Sequence, residues 1–100
     1  MIVTVFKSRL RKNADEEAME QLGQYMYELA SDMPGFVSYK DYMASDGEIV
    51  TIVEFETLEN VAAWREHPEH KVAQERGRTE FFSQYHIQVC TTVRDYSFSL

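Results

Sequence analysis

Four short runs rich in β-branched and aromatic residues constrain the fold of this chain more than any other feature. They span residues 2–9, 36–44, 48–56 and 85–96, and the last of them alternates between apolar and polar positions. Such runs are typical of strands. The second and third flank Ser-Asp-Gly, a short turn signal, and are predicted to form a hairpin. We therefore predict a four-stranded antiparallel sheet.

A long helical pattern separates the first run from the hairpin. Asn13, with Glu16 three residues later, has the form of a capping box and predicts the start of this helix. Pro34 and Gly35 predict its end. One side of the helix between them is apolar, at Ala18, Leu22, Met26, Leu29 and Met33. This spacing predicts an amphipathic helix.

Two shorter helices are predicted between the hairpin and the last run. Thr57 has the residue type of an N-cap and predicts a helix from Leu58 through Arg65. Pro68 suits the first turn of a further helix, which we expect to continue through Phe82. The order β-α-β-β-α-α-β belongs to the α+β class and is the split βαβ plan of a ferredoxin-like sandwich. One hundred residues predict a single domain, residues 1–100.

Several predicted strands are apolar on both faces. In the first strand Val3 and Val5 point away from Ile2 and Phe6, and the third strand repeats the pattern. The helices of so short a chain can cover only one face, so the other face needs a partner. The last strand, about a dozen residues by this interpretation, exceeds the usual length and can reach a neighbour. We therefore predict a homodimer packed sheet to sheet.

Charge and cysteine content exclude several classes of function. Seventeen acidic and ten basic residues give a net charge of −7, which disfavours nucleic acid and anionic membrane surfaces as partners. Cys90 is the only cysteine, so no intrachain disulfide is expected. The first apolar run is too short for a signal core or a transmembrane span. A cytoplasmic protein that binds a small organic molecule is the expectation.

Trp64, His67 and His70 follow one another at intervals of three residues. A metal site would need both histidines on one helical face and at least one further ligand. Pro68 speaks against this, because it places His67 at an N-cap, outside regular helix geometry. The alternative is that His67 caps the third helix and His70 lies half-exposed in its first turn. We predict no metal site.

Asn60 and Trp64 are four residues apart and therefore neighbours on one helical face. His67 can join them at the end of that helix. An indole beside an amide and an imidazole suits a pocket for a flat, partly polar molecule, since the ring stacks while the polar groups form hydrogen bonds. The alternative is that Trp64 fills the gap between helix and sheet and that Asn60 faces water.

Three segments together resemble a known family over nearly the whole chain. They are MPGFVSYKDY before and within the second strand, ETLENVAAWREH after the hairpin, and AAWREHPEHKVAQERGRTEFFSQYHIQVCTTVRDY. The Pro-Gly-Phe triplet and the W-x-x-H-x-x-H run are the most telling parts. In these features the chain resembles the antibiotic biosynthesis monooxygenase family of dimeric α/β barrels.

The resemblance implies a function as well as a fold. Members that oxidise polycyclic phenols carry an Asn and a Trp four apart and a Tyr six residues after the Trp, positions that here hold Asn60, Trp64 and His70. It implies a cofactor-independent monooxygenase that acts on a small aromatic phenol or quinol with O2. Asn60 and Trp64 would bind the substrate, and His70 or His67 would be the catalytic base, because an imidazole titrates near neutrality.

Two alternatives to this function stay open. The first is a dimer that binds a small molecule without turnover, because a storage pocket and a catalytic pocket use the same residue types. The second is haem degradation, for which the resemblance is poorer. The haem-degrading members carry an Asn on the first strand and a His ten residues after the Trp. Here the first strand has no Asn and the later position is Gln74.

Overall fold

The chain folds in the predicted order of elements, and the computed structural model describes residues 1–100. The elements are β1 (Ile2–Leu10), α1 (Glu16–Ser31), β2 (Phe36–Met43), β3 (Ile49–Phe55), α2 (Leu58–Glu66), α3 (Pro68–Arg76) and β4 (Phe82–Thr91). The predicted fold class is confirmed: three helices accompany a four-stranded antiparallel sheet. None of the helices is long and apolar enough to cross a lipid bilayer.

The strands pair in the order β2-β3-β1-β4, which leaves β2 and β4 at the edges. Phe6 of β1 stands opposite Thr51 of β3 and Ile87 of β4. All three helices line a cavity against the face of the sheet that carries Phe6. Because side chains alternate along a strand, Val5 and its neighbour Ile52 point to the other face, on which no helix lies. The sheet is not closed into a barrel within the chain.

The cap of α1 differs from the prediction. Asp15, not Asn13, is the N-cap, and its Oδ1 accepts a hydrogen bond from the Ala18 amide at 3.0 Å. Asn and Asp cap helices about equally well, so residue type alone does not decide between them. Glu16 thus begins the helix instead of closing a capping box with Asn13. The two caps predicted further along, Thr57 for α2 and His67 for α3, are confirmed.

The end of the helical region also differs from the prediction. Helix α3 stops at Arg76, and a π-helical turn, Gly77–Phe81, carries the chain into β4. Arg11 holds this turn from the end of β1: its amide donates to the Phe81 carbonyl at 2.8 Å, and its Nη1 donates to the Thr79 carbonyl at 2.8 Å. The turn ends at Phe81, the residue that Arg11 binds through its amide. Strand β4 therefore begins at Phe82, three residues before the predicted start.

Strand β4 ends earlier than predicted, at Thr91 rather than residue 96. The Thr92 amide still donates to the Met1 carbonyl at 3.0 Å, but the residues beyond it pair with no strand, because β1, the only neighbour of β4, begins at Ile2, opposite Thr91. Four apolar side chains beyond Thr91 are almost fully exposed: Val93, Tyr96, Phe98 and Leu100. The alternation of this segment indicated a strand, but a strand also needs a pairing partner, and this chain supplies none there.

The core lies between α1, α2, α3 and the centre of the sheet. It consists of Met26, Ala30, Val53, Phe55, Trp64 and Ala73. The helices leave β4 largely uncovered, since Tyr85, Ile87 and Val89 are 40%, 49% and 51% exposed although they point to the helical side. The sheet is thus well covered over β3 and open along β4.

Candidate active site

A cavity of about 290 Å³ lies between the helices and the sheet. We call it the Trp64 cavity. Most of the residues that line it are apolar, and they come from all three helices and all four strands. Phe6, Val53 and Ile87 form part of its floor, and Met26 and Trp64 form part of its roof. The cavity is therefore suited to a flat, mainly apolar molecule.

Trp64 and His70 form a stacked pair in the wall of this cavity. The centroids of the two rings are 3.9 Å apart and their planes differ by 15°. Pro68 starts α3 directly after the end of α2, and this break turns the chain so that His70 comes back over Trp64. Both residues line the cavity, and the indole is buried. The spacing of six residues therefore produces contact through a helix break rather than along one helix.

The His70 imidazole is held in one orientation by the backbone. Its Nδ1 lies 2.9 Å from the carbonyl oxygen of Trp64. A carbonyl only accepts hydrogen bonds, so Nδ1 carries the proton in the neutral ring and Nε2 is left with a free lone pair. Burial lowers the pKa of His70 below its usual 6.5, against the opposing effect of the Trp64 carbonyl and with a further lowering by nearby His67. The ring is therefore neutral at pH 7 and able to accept a proton at Nε2.

His67 has a different position from His70. Its Nδ1 accepts a hydrogen bond from the Glu69 amide at 3.1 Å and caps α3. Its ring centre lies 6.1 Å from that of Trp64, with the two planes at 53°, and the residue does not line the Trp64 cavity. The capping role that the position before Pro68 predicted is thus present, and the cavity itself contains only one imidazole.

Asn60 is engaged at the start of α2. Its Oδ1 accepts hydrogen bonds from the Thr57 amide at 3.1 Å and from the Thr57 hydroxyl at 2.8 Å. The Thr57 hydroxyl in turn accepts from the Asn60 amide at 3.1 Å, which completes a capping box. Asn60 does not line the Trp64 cavity. The structure therefore separates Asn60 from Trp64 and His70, although the helical spacing of Asn60 and Trp64 suggested a shared pocket.

Gly35 explains why the Asn60 amide stays in the cap. A Cβ atom on Gly35 would lie 2.0 Å from Asn60 Oδ1, so the amide packs directly against the glycine backbone. Gly35 has φ +78°, a conformation that favours glycine. The Pro-Gly-Phe triplet thus shapes both the entry into β2 and the seat of the α2 cap.

Tyr39 is a polar residue of the cavity that sequence reasoning missed. It lies on β2 opposite Val53, and burial raises the pKa of its hydroxyl to about 12. The phenol is therefore neutral and available as a hydrogen-bond donor at pH 7. Thr51, Arg65 and Gln74 also line the cavity. Their signal in the sequence is weak, because polar residues on a strand or helix more often face solvent than a cavity.

No cluster of three or more histidine, cysteine, aspartate or glutamate side chains is arranged to hold a metal ion. Gln74, which stands where the haem-degrading members carry a histidine, lines the Trp64 cavity, and its Nε2 donates to the Arg65 carbonyl at 3.3 Å. His70, one helical turn earlier, is the only histidine that lines the cavity. The polar chemistry of the cavity therefore rests on one imidazole, one phenol and a few hydroxyl, amide and guanidinium groups.

Comparison with known proteins places the chain in a family. The sequence profile of the family described as antibiotic biosynthesis monooxygenase matches residues 1–76. The uncharacterized protein YqjZ of Bacillus subtilis (strain 168) is 28% identical over 83 residues, which cover 83% of this chain and 73% of that protein.

Two solved structures have the same fold at low sequence identity. Rv0793 from Mycobacterium tuberculosis superposes with a TM-score of 0.84 at 18% identity, covering 96% of this chain and 98% of that one. SnoaB, a cofactor-independent oxygenase from Streptomyces nogalater, superposes with a TM-score of 0.80 at 12% identity, covering 94% of each chain. Since the profile matches three quarters of its residues, the chain belongs to the antibiotic biosynthesis monooxygenase family.

Proposed function

We propose that the protein is a cofactor-independent monooxygenase that oxidises a small aromatic phenol or quinol with O2 in the Trp64 cavity. Family membership supports a role among the monooxygenases, and SnoaB is a solved relative in fold that is described as a cofactor-independent oxygenase. The observation that carries the proposal is the Trp64–His70 pair, which sets a neutral imidazole in the wall of an apolar cavity. His67 and Asn60 have no part in the proposed chemistry.

The proposed reaction uses the electrons of the substrate itself. Nε2 of His70 accepts the phenol proton, and the phenolate transfers one electron to O2. The two radicals combine at a ring carbon to give a hydroperoxide, which loses water to form the quinone. One oxygen atom enters the product, the other leaves as water, and the proton held by His70 is returned. Phenol and O2 are thus converted to quinone and water without a further reductant.

The acidity of the hydroxyl limits which substrates fit this scheme. A simple phenol has a pKa of about 10, whereas the pKa of His70 lies below 6.5. Proton transfer from such a phenol to His70 is therefore uphill. That cost is compatible with turnover but favours more acidic hydroxyls. We therefore expect extended, electron-delocalised phenols and quinols to react faster than single-ring phenols.

Oxygen uptake with purified protein tests the proposal. A panel of quinols and anthrone-like phenols should be consumed, and His70→Gln should slow the reaction by about 10²–10⁴-fold, the usual contribution of a general base. His86→Gln is the matched control, because His86 is exposed on β4 and does not line the cavity. Full activity of His70→Gln would show that His70 is not the base.

The weak basicity of His70 favours a second candidate function. An imidazole with a lowered pKa is a good hydrogen-bond acceptor but a poor base, so the same cavity suits a dimer that binds an aromatic molecule without converting it. Tight binding without oxygen uptake for any substrate would favour this function over catalysis. Binding is measured by the fluorescence of Trp64, the only tryptophan in the chain.

We also propose that the protein is a homodimer. The sheet face that carries Val5 and Ile52 has no helix on it, and four apolar side chains after Thr91 are almost fully exposed. A second copy of the chain would cover both surfaces. Light scattering at micromolar concentration tests this, and a monomer mass would contradict it. The cytoplasmic location and the lack of nucleic-acid and membrane partners stay predictions from the sequence.

A further inference from the structure

A second cavity of about 480 Å³, which we call the Asp41 cavity, lies beside the Trp64 cavity. Six residues line both: Phe6, Met19, Gly23, Tyr39, Thr51 and Phe82. They form the boundary that the two cavities share, and we call the open space at Gly23 in this boundary the passage. At about 290 Å³ the Trp64 cavity is at the lower end of the range for organic ligands, which is ~300–1,000 Å³, and the two cavities together lie well within it. A ligand too large for the Trp64 cavity alone would have to extend through the passage.

Gly23 is the one residue of the passage that has no side chain. It is the eighth residue of the sixteen in α1, and only Gly35 and Gly47 have positive φ, so the backbone at Gly23 does not require glycine. A Cβ atom built there would meet no heavy atom within 4 Å. Close packing therefore does not require glycine either. Because Gly23 has no side chain, open space remains at the boundary between the two cavities.

Glycine in this position is unfavourable for the helix itself. In a helix interior glycine is among the worst residues, because it loses the most backbone freedom on folding. Its neighbours one turn away, Met19 and Met26, are flexible apolar residues that also line the Trp64 cavity. The only structural effect of the missing side chain at Gly23 is the free volume beside these two methionines.

The two cavities differ in chemistry. The Trp64 cavity is lined mainly by apolar and aromatic side chains, whereas the Asp41 cavity is also lined by the carboxyl groups of Glu20 and Asp41 and by no lysine or arginine. Thr51 Oγ1 donates to Asp41 Oδ1 at 2.6 Å, which orients that carboxylate at the passage. Carboxylates accept hydrogen bonds, so this end suits hydroxyl or amino groups on a ligand.

We propose that Gly23 is a specificity-determining residue, which lets an elongated aromatic ligand extend from Trp64 and His70 into the Asp41 cavity. The ligand class is an elongated phenol with hydrogen-bond donors at the end remote from Trp64. This inference rests on the proposed function, because it takes the Trp64 cavity to be the reactive site. It adds that the length of the substrate is limited by the side chain at position 23.

The test compares a short and a long probe in binding, without turnover. The short probe is 2-naphthol and the long one is 4,4′-dihydroxystilbene, each titrated against the quenching of Trp64 fluorescence. Gly23→Leu places a branched side chain in the passage and is expected to weaken stilbene binding at least about tenfold, a difference of one decade in Kd. Binding of 2-naphthol is expected to change less than about twofold. Gly23→Ala should raise the melting temperature, because alanine is the better helix former.

The matched control is Gln21→Leu, which adds leucine to an exposed position of the same helix that lines neither cavity. It should leave the binding of both probes unchanged. Equal weakening of both probes by Gly23→Leu, no weakening of either, or no binding of the long probe to the unaltered protein would overturn the inference. Length selection in binding without any oxygen uptake would leave the inference standing and remove the proposed catalysis.

Discussion

Replacing Gly35 by alanine should destabilise the protein far more than the addition of one methyl group suggests. At φ +78° an L-residue is strained by about 1–2 kcal/mol. The new Cβ would also lie 2.0 Å from Oδ1 of Asn60 and force that amide out of the α2 cap. Losing an N-terminal cap costs about 1 kcal/mol. Together these effects predict a loss of roughly 2–3 kcal/mol in the free energy of unfolding.

Gly47→Ala is the matched control for the backbone strain. Gly47 has φ +91°, but a Cβ there would meet nothing within 4 Å. Its replacement should therefore cost only about 1–2 kcal/mol. The difference between the two variants measures the displacement of Asn60. Urea or thermal unfolding followed by circular dichroism gives both values, at a fixed protein concentration because a dimer would make stability depend on concentration.

A double variant shows whether the amide is the cause. Asn60→Ala alone removes the side-chain half of the capping box, while Thr57 stays the N-cap, and should cost up to about 1 kcal/mol. In Gly35→Ala/Asn60→Ala the alanine no longer meets an amide, so the combined loss should be smaller than the sum of the two single losses. Strict additivity, or equal effects of Gly35→Ala and Gly47→Ala, would refute the contact between Gly35 and the α2 cap as the source of the loss.

Three further predictions follow from single groups. Arg11→Met should loosen the π-helical turn, because it removes the guanidinium bonds to the Thr79 and Phe82 carbonyls, and hydrogen exchange should rise there but not in α1. Burial lowers the pKa of His70, so folding stability should fall as the pH drops below about 6.5, and His70→Gln should remove that part of the loss. Burial raises the pKa of Tyr39 to about 12, so its neutral form stabilises the fold up to about pH 10 and this contribution, roughly 2–3 kcal/mol, is lost as the pH rises to about 12. Tyr39→Phe should be insensitive in that range, and an unchanged alkaline transition would contradict the burial of Tyr39.

The structure brings together some of the predicted site residues and not others, and sequence spacing explains the difference. Spacing along a helix reports contacts within about four residues, and it suggested Asn60 and Trp64 as neighbours. The structure places Asn60 in the capping box with Thr57, which is also a contact over three residues. Both arrangements are local, and the choice between them depends on Gly35, which is distant in sequence. Tyr39 and Gly23 joined the site only through packing of the sheet against α1.

Sequence patterns were sufficient to predict the order of the elements, the fold class and the caps at Thr57 and His67. These features depend on periodicity and on residue types within one turn of each other. Residue type left open that Asp15 caps α1, and the three-dimensional structure fixed two further features: Arg11 ends the helical region before Phe82, and β4 stops at Thr91. The last two depend on contacts between distant parts of the chain. Local sequence patterns restrict which long-range contacts are possible, but they do not determine which of them form.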